Sequence, residues 1–228
     1  ETSSPSYVLM TGIERCIHYV RDNKETAFAQ LRSKLDRFYQ KVSGLSHLNV
    51  VRKSDFSADE AYDFDESKII IFTKEAMNGH TLLELLLKKY ELQLEMAAGN
   101  YVLALASVMD TDEGFDRLAD ALIEIDSQLE KYKSDFEEFY DILKQEGVVH
   151  KFYLPVKMDT DIYQKLPAVM EMYDAYDADH QAVYAFKASG KVSGAFINIY
   201  PPGIPLVVPG EIMNDKLCLL YTSDAADD

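Results

Sequence analysis

The sequence predicts an α/β protein, more narrowly an α+β layer in which helices cover a sheet. Short apolar runs alternate with amphipathic helical segments, which is the pattern of a sheet covered by helices. The strongest strand signal is "KIIIFT", Lys68–Thr73, because consecutive β-branched residues are typical of a buried strand. The strongest helix signal is the stretch 110–123, where apolar residues recur every three or four positions.

Two helices are predicted before the sheet. The first begins with Ser4 as N-cap and Pro5 in the first helical position. The second runs from about Lys24 to Val42 and ends at Ser43-Gly44. Apolar residues recur at helical spacing in the first helix and lie along one face of the second, opposite its charges. They are Leu9, Ile13, Cys16, Ile17 and Val20 in the first helix, and Ala27, Leu31, Leu35, Phe38 and Val42 in the second.

Further strands are predicted at 47–53, 92–99 and 101–108, with Gly99-Asn100 between the last two. A compact helix begins near Asn78 or Thr81, and another begins with Asp110 as cap and Glu113 as its capping-box partner. Residues 128–147 are predicted helical, and Gly190 marks a turn between a last pair of strands. The buried stripe of the helix after Asp110 comprises Phe115, Leu118, Ala119, Leu122 and Ile123.

Composition limits the classes of partner. The net charge of −16 repels phosphate backbones and anionic membranes, so neither nucleic acid nor membrane is expected to bind. The 228 residues, 47% of them hydrophobic, suffice for one sizeable core. Two distant cysteines, Cys16 and Cys218, form no disulfide framework and fit a cytoplasmic setting. The opening "ETSSPSY" has no features of a signal peptide.

Motif searches find no self-contained catalytic constellation. The five histidines have no metal-site spacing, and the calcium-loop pattern that starts at Asp110 fails because Ala121 stands where a bidentate glutamate is required. No metal site is predicted. The unusual stretch is "YPPGIPLVVPGE", Tyr200–Glu211, with four prolines and two glycines. It predicts a stiff, extended path that is neither helix nor central strand, with Gly203 and Gly210 where unusual φ is needed.

Three stretches in this order resemble the pyridoxal-phosphate (PLP)-dependent ornithine/lysine/arginine decarboxylases: "TSSPSYVLM" at 2–10, "LEMAAGNYVLALASVMDTDEGFDRLADAL" at 94–122, and "ASGKVSGAFINIYPPGIPLVVPGE" at 188–211. The Y-P-P-G-I-P segment followed by P-G-E is the most specific of the three. Lys191, Ala195 and Ile199 depart from the family pattern, where arginine, an acidic residue and proline are usual.

The resemblance implies the C-terminal end of a fold-type-I PLP enzyme. Residues 1–45 would end the PLP-binding large domain and form the connecting helix, and 46–215 would be the small domain. The Schiff-base lysine would lie upstream of Glu1, so this chain contains no catalytic residue, and Lys151 is predicted to be a surface lysine. Residues 216–228 are predicted to be a non-native tail, with a frayed native terminus as the alternative.

The family also implies the site residues. Thr2, Ser3 and Ser4 would lie near the cofactor phosphate, reaching it from the neighbouring subunit of a homodimer or larger homo-oligomer; plain helix capping by Ser4 is the alternative. Tyr200 and Glu211 would face a basic amino-acid substrate. Their alternatives are core packing for Tyr200 and a first-turn helix acid for Glu211.

Two other functions stay open. A fold-type-I aminotransferase would need a small-domain arginine to clamp the substrate carboxylate, and the only arginine after Arg52 is Arg117, on a predicted surface helix. A non-catalytic interaction module is the third possibility, if the chain is complete. The preferred prediction is the C-terminal portion of a PLP-dependent decarboxylase acting in polyamine biosynthesis on arginine, lysine or ornithine.

Overall fold

The computed structural model describes residues 5–57, 59, 61–74, 76–132, 136–145, 147, 165–199 and 203–218. The chain divides into two compact units, 1–156 and 157–228. Within the described residues, no helix combines the length and apolar composition needed to cross a membrane. The predicted domain boundaries at 45 and 215, which refer to a longer enzyme, stay predictions.

A single long helix, α1 (Tyr7–Lys41), opens the first unit. The prediction of two helices was wrong, because no glycine or proline interrupts the chain between Ile13 and Ser43. The N-cap is Ser6, two residues after the predicted Ser4, and its side chain makes no capping hydrogen bond. Only the C-terminal half of the helix has a buried face; its residues are Ala27, Leu31, Leu35, Phe38 and Tyr39.

A four-stranded antiparallel sheet follows, with strand order β1-β2-β4-β3. Its strands are β1 (Asn49–Val50), β2 (Lys68–Phe72), β3 (Met96–Ala98) and β4 (Tyr101–Leu105). All four lie within the stretches predicted as strands. Ile69 and Ile71 of β2 point into the core beside Ala104 and Val102 of β4, which explains why this run is so apolar.

Three helices belong to the same unit: α2 (Gly79–Tyr90), α3 (Asp112–Lys131) and α4 (Phe136–Gln145). Helix α2 packs on β3 and β4, and α3 packs on α1, α2 and α4. Asn78 caps α2 as predicted, since its side chain accepts the His80 N–H. The cap of α3 is Thr111 rather than Asp110, whose carboxylate instead accepts the Ser107 N–H. The predicted stripe of α3 is buried except for Ile123. The mixed α+β fold is therefore confirmed for this unit.

The second unit is small and largely irregular. It contains α5 (Met172–Asp177) and a two-stranded ribbon of β5 (Ile197–Ile199) and β6 (Ile204–Val207). The turn at Gly190 exists, with φ of +73°, but the residues on either side of it do not pair as a hairpin. Its core is a separate cluster. The buried members are Leu166, Ala188, Leu206, Val207, Met213, Leu217 and Cys218.

Candidate functional site

The proline-rich stretch contributes strand β6 to the ribbon of the second unit. Its last residues form a backbone ladder, in which they lie between the segments around Ala168 and Val192 and hydrogen-bond to both. β6 pairs with β5, and Pro205 lies opposite Asn198. A two-stranded ribbon has only edge strands, so a residue without an N–H is tolerated there. The predicted unusual φ is found at both glycines, +84° at Gly203 and +94° at Gly210.

Residues 209–213 form the middle segment of this ladder. On one side the Val169 N–H donates to the Gly210 carbonyl at 2.9 Å. On the other side the Gly210 N–H donates to the Ser193 carbonyl, and the Ser193 N–H donates to the Glu211 carbonyl, both at 2.8 Å. Isolated bridges join Glu211 to Ala168 on one side and residues 192 and 212 on the other. The segment is therefore fixed from both sides by backbone hydrogen bonds.

Gly210 is required by space as well as by conformation. A Cβ atom at this position would lie 2.3 Å from the Met170 carbonyl oxygen, a distance that real Cβ atoms do not reach. The positive φ of +94° would also strain any other residue. The glycine thus lets two backbone segments approach each other closely.

The Glu211 carboxylate contacts the backbone of the turn that precedes it in the sequence. Its Oε2 atom accepts the Val208 N–H at 2.9 Å, and the residue is half-buried. The alternative of a first-turn helix acid was wrong, because Glu211 lies in a bridge and a helical turn begins only at residue 215. The expected contact with substrate stays a prediction, and Tyr200 lies outside the described residues.

The predicted cofactor residues Thr2, Ser3 and Ser4 also lie outside the described residues, as does Lys151. The neighbouring start of α1 is described, and its first turn contains no acidic residue. The N-terminus of a helix carries partial positive charge and free N–H groups, which suit an anion. The Ser6 side chain makes no capping hydrogen bond to this helix.

Sequence reasoning missed Asp126, a carboxylate that is only 8% exposed. It lies one turn after Leu122 on the buried face of α3, so an acid on an apolar stripe was the available signal. Its oxygens accept the backbone N–H groups of Ser46, His47 and Leu48 at 2.8–2.9 Å. This carboxylate joins α3 to the connection between α1 and β1.

Arg117 is already engaged within the first unit. One of its guanidinium nitrogens donates to the Tyr90 carbonyl at 2.9 Å and reaches the Glu91 carbonyl at 3.4 Å. It therefore closes the C-terminal end of α2, where Glu91 adopts a φ of +54°. The arginine that an aminotransferase would need for a substrate carboxylate has a structural role here.

The chain is similar in sequence to known proteins over most of its length. Residues 157–224 match the family model of the Orn/Lys/Arg decarboxylase C-terminal domain. The arginine decarboxylase of Halalkalibacterium halodurans is 24% identical over 218 residues, which are 94% of this chain and 40% of that protein. The Bacillus subtilis arginine decarboxylase is 23% identical, with the same two shares covered. The chain thus spans about 40% of the length of these curated relatives.

Solved structures share the fold. The lysine decarboxylase of Francisella novicida superimposes with a TM-score of 0.60 at 14% identity, over 90% of this chain and 37% of that one. The constitutive lysine decarboxylase of E. coli gives a TM-score of 0.56 at 16% identity, over 98% and 40%. The mixed α+β fold of this chain therefore resembles about 40% of each of these longer chains.

The sequence that residues 157–224 resemble is the C-terminal domain of the Orn/Lys/Arg decarboxylases. The resemblance and the fold predicted from the sequence are both confirmed, and the chain is similar to the C-terminal portion of these decarboxylases.

Proposed function

We propose that the full-length protein is a PLP-dependent decarboxylase that converts arginine, lysine or ornithine to the corresponding polyamine-type amine and CO2. The observation that carries this proposal is the alignment of 94% of the chain with the arginine decarboxylase of H. halodurans. The described chain would supply the C-terminal portion of the enzyme, and the part that precedes it would supply the Schiff-base lysine and most cofactor contacts.

The cofactor would be held partly by the start of the present chain. When bound, PLP supplies an electron sink for the electrons left behind as the substrate loses CO2. Thr2, Ser3 and Ser4 would donate hydroxyl and backbone hydrogen bonds to its phosphate, next to the N-terminus of α1. The absence of an acid from the first turn of that helix supports an anion there.

The N-terminal half of α1 supports the assignment of residues 1–45 to the large domain. Its apolar residues are exposed in this chain, for example Leu9 at 70% and Ile13 at 62%. Exposed apolar stripes of this kind mark surfaces that another body covers. The PLP-binding domain of the full-length enzyme would cover this stripe.

Substrate recognition would involve Tyr200 and Glu211 as a rigid wall beside the active-site cleft. The ladder that fixes residues 209–213 from both sides supports the rigidity of this wall. A carboxylate near the wall would attract the distal ammonium or guanidinium group of a basic amino acid. The enzyme would work as a homodimer or larger homo-oligomer in the cytoplasm.

A fold-type-I aminotransferase is the competing function. Such an enzyme would hold the substrate carboxylate in a bidentate grip from an arginine of the small domain. Arg117 is the only arginine after Arg52, and its guanidinium group caps α2 instead. This contact favours the decarboxylase over the aminotransferase.

The test uses the product of the full-length gene, purified with added PLP. Release of labelled CO2 from carboxyl-labelled arginine, lysine or ornithine is the expected result. Transfer of the amino group to a keto acid without CO2 release would make the protein an aminotransferase. A gene product that binds no PLP and transforms none of the three amino acids would leave the non-catalytic module.

A further inference from the structure

The start of α2 contains the only asparagine of this sequence that is followed by glycine, Asn78. An asparagine in this position can react with the backbone nitrogen of the next residue. Glycine favours that reaction, because it has no side chain to hinder the approach and its backbone adopts many conformations. Asn78 is therefore the asparagine of this chain that is most reactive toward its own backbone.

The fold uses both residues of the pair. A Cβ atom at residue 79 would lie 2.3 Å from the Tyr101 carbonyl oxygen, so only glycine fits against β4. The Asn78 side chain caps α2, because its Oδ1 atom accepts the His80 N–H at 2.9 Å. Asn78 is also only 4% exposed. A chemically reactive pair is therefore part of the packed junction between α2 and the sheet.

The folded backbone keeps the pair out of a reactive geometry. Reaction requires the Gly79 nitrogen to reach the side-chain carbonyl carbon of Asn78. Instead, the Gly79 N–H donates to the Gly99 carbonyl at 2.8 Å, and the side-chain oxygen of Asn78 is held by the backbone of α2. The ψ of 149° at Asn78 also keeps its Cβ and the Gly79 nitrogen far from the eclipsed arrangement that a five-membered ring requires.

The hydrogen bond that protects Gly79 comes from the edge of the sheet. Gly99 and Asn100 form the turn between β3 and β4, and β3 is an edge strand of three residues. Thr73 joins this turn to the loop before α2. Its N–H donates to the Asn100 carbonyl at 2.8 Å, and its hydroxyl lies 2.8 Å from that oxygen and 2.6 Å from the Met77 carbonyl oxygen. Short edge elements open locally at a lower free energy than the core does.

We propose that Asn78–Gly79 is a latent modification site that reacts, with water as the co-reactant, when the β3–β4 turn opens. The Gly79 nitrogen bonds to the side-chain carbonyl carbon of Asn78. The bond from that carbon to the side-chain nitrogen breaks, and ammonia leaves with the proton of the Gly79 amide. Water then hydrolyses either C–N bond of the cyclic imide and gives aspartate or isoaspartate. No oxidant or reductant takes part.

The two products differ in whether the junction can close again. Aspartate at position 78 keeps the length of the main chain and an oxygen that can accept the His80 N–H, so α2 can be capped again. Isoaspartate adds a carbon atom to the main chain beside Gly79, where Tyr101 leaves no room even for a Cβ atom. An opening that ends in isoaspartate is therefore irreversible. This inference does not depend on the proposed function.

Peptide mapping of the 228-residue chain measures the modification. Trypsin releases residues 75–88 as one peptide, in which Asn78 is the only asparagine, and chromatography separates its three forms. The chain is incubated at neutral pH with and without guanidinium chloride. We expect both products in the denatured chain, and formation at least about 100-fold slower in the folded chain, which corresponds to an opening free energy of about 2.8 kcal/mol. Equal rates, or no product from the denatured chain, would overturn the proposal.

Thr73→Val tests the contact that holds the turn closed. The change removes the buried hydroxyl and should raise the rate in the folded chain by about tenfold, as expected for the loss of one buried hydrogen bond. The matched control is Thr81→Val in α2. The Thr81 hydroxyl is also buried but has no hydrogen-bond partner among the described residues, so the rate should stay as in the parent. Equal rates for the two variants would contradict the role of the turn.

Hydrogen exchange of the Gly79 amide tests the same opening without a mutation, and it decides if Thr73→Val does not fold. The opening that exposes this nitrogen to reaction also exposes its proton to water, so its exchange should be slowed at least about 100-fold relative to the denatured chain. An amide that exchanges as fast in the folded chain as in the denatured one would overturn the proposal. Asn78→Ser keeps a capping side chain and should give no product in the peptide, which assigns the signal to Asn78.

Discussion

The two compact units of the chain are ordered by different interactions. In the first unit, apolar residues of α2, α3 and the sheet share one core, and side chains such as Leu122 and Ile71 are fully buried. In the second unit, backbone hydrogen bonds between irregular segments carry the structure, around Gly210 and Ser193. Many of its large apolar side chains are exposed, including Tyr173 and Tyr184.

This difference suggests different tolerances to mutation. A core of regular elements depends on the volume of its side chains, so truncation is the damaging change. A unit in which backbone segments approach closely depends on glycines with a positive φ and no Cβ atom. Adding a single methyl group at such a glycine is therefore the damaging change. Each unit should therefore respond most strongly to its own kind of substitution.

Leu122→Ala is expected to have the largest effect. The side chain is fully buried on α3, so its truncation should lower the free energy of unfolding of the first unit by about 2–5 kcal/mol. Urea denaturation followed by circular dichroism measures this loss. The matched control is Ile123→Ala, the next residue on the helix, which is 40% exposed and should cost less than about 1 kcal/mol. Equal losses in the two variants would contradict the core described here.

Gly210→Ala should be the most damaging small change in the second unit. The new methyl group would meet the Met170 carbonyl at 2.3 Å and impose a strained φ, at a cost of at least about 2 kcal/mol. Amide hydrogen exchange should show lost protection in residues 166–199 and 203–213. Gly190→Ala separates the two causes: its φ is +73° with no atom within 4 Å of the new Cβ, so only about 1 kcal/mol of backbone strain is expected. A Gly210→Ala variant as stable as Gly190→Ala would refute the close approach.

Glu211→Gln tests whether the turn also contacts substrate. The glutamine oxygen can still accept the Val208 N–H, so the melting temperature should change little. If Glu211 faces a basic amino acid, kcat/KM of the full-length enzyme should fall by about tenfold, as expected for the loss of one charge-assisted bond. Glu211→Ala removes both contacts and should lower stability by about 1 kcal/mol as well. Wild-type kcat/KM in Glu211→Gln would leave the residue a purely architectural role.

The smallest effect concerns Tyr39 and alkaline pH. Burial, together with the charge of Glu66, raises the pKa of Tyr39 from its usual 10 to about 12. A raised pKa stabilises the fold below pH 10, and this contribution is lost as pH rises through about 12. The free energy of unfolding should therefore fall between pH 10 and 12, and less steeply in Tyr39→Phe. Identical slopes for the two proteins would show that the Tyr39 hydroxyl is not buried in the fold.

Much of the first unit could be predicted because its elements follow their own periodicity. The run at Lys68–Phe72 and the cap at Asn78 are local signals, and both were correct. The prediction of two helices missed the continuity of α1, because the polar residues Arg21–Lys24 separate the two apolar patterns without breaking an exposed helix. Only the C-terminal half of α1 is buried, because only that half packs against the rest of the unit. Both halves have a similar apolar pattern, so the sequence does not distinguish them.

The second unit was less predictable because its structure depends on backbone pairing between residues that are distant in the sequence. The positive φ of Gly203 and Gly210 was predicted from glycine next to proline, a local rule. The pairing of residue 192 with 212 and of Ala168 with Glu211 is non-local and carries no periodic signal. The role of Asp126 likewise depends on residues nearly 80 positions away in the sequence.

One measurement tests most directly whether this chain is the C-terminal portion of a decarboxylase. The 228-residue chain and the full-length protein are each incubated with PLP and carboxyl-labelled arginine, lysine and ornithine, and both are reduced with borohydride before peptide mapping. The account predicts CO2 release and a PLP-modified lysine only in the full-length protein, at a residue upstream of Glu1. CO2 release by the short chain, or a modified lysine within it, with Lys151 the first to inspect, would contradict the account.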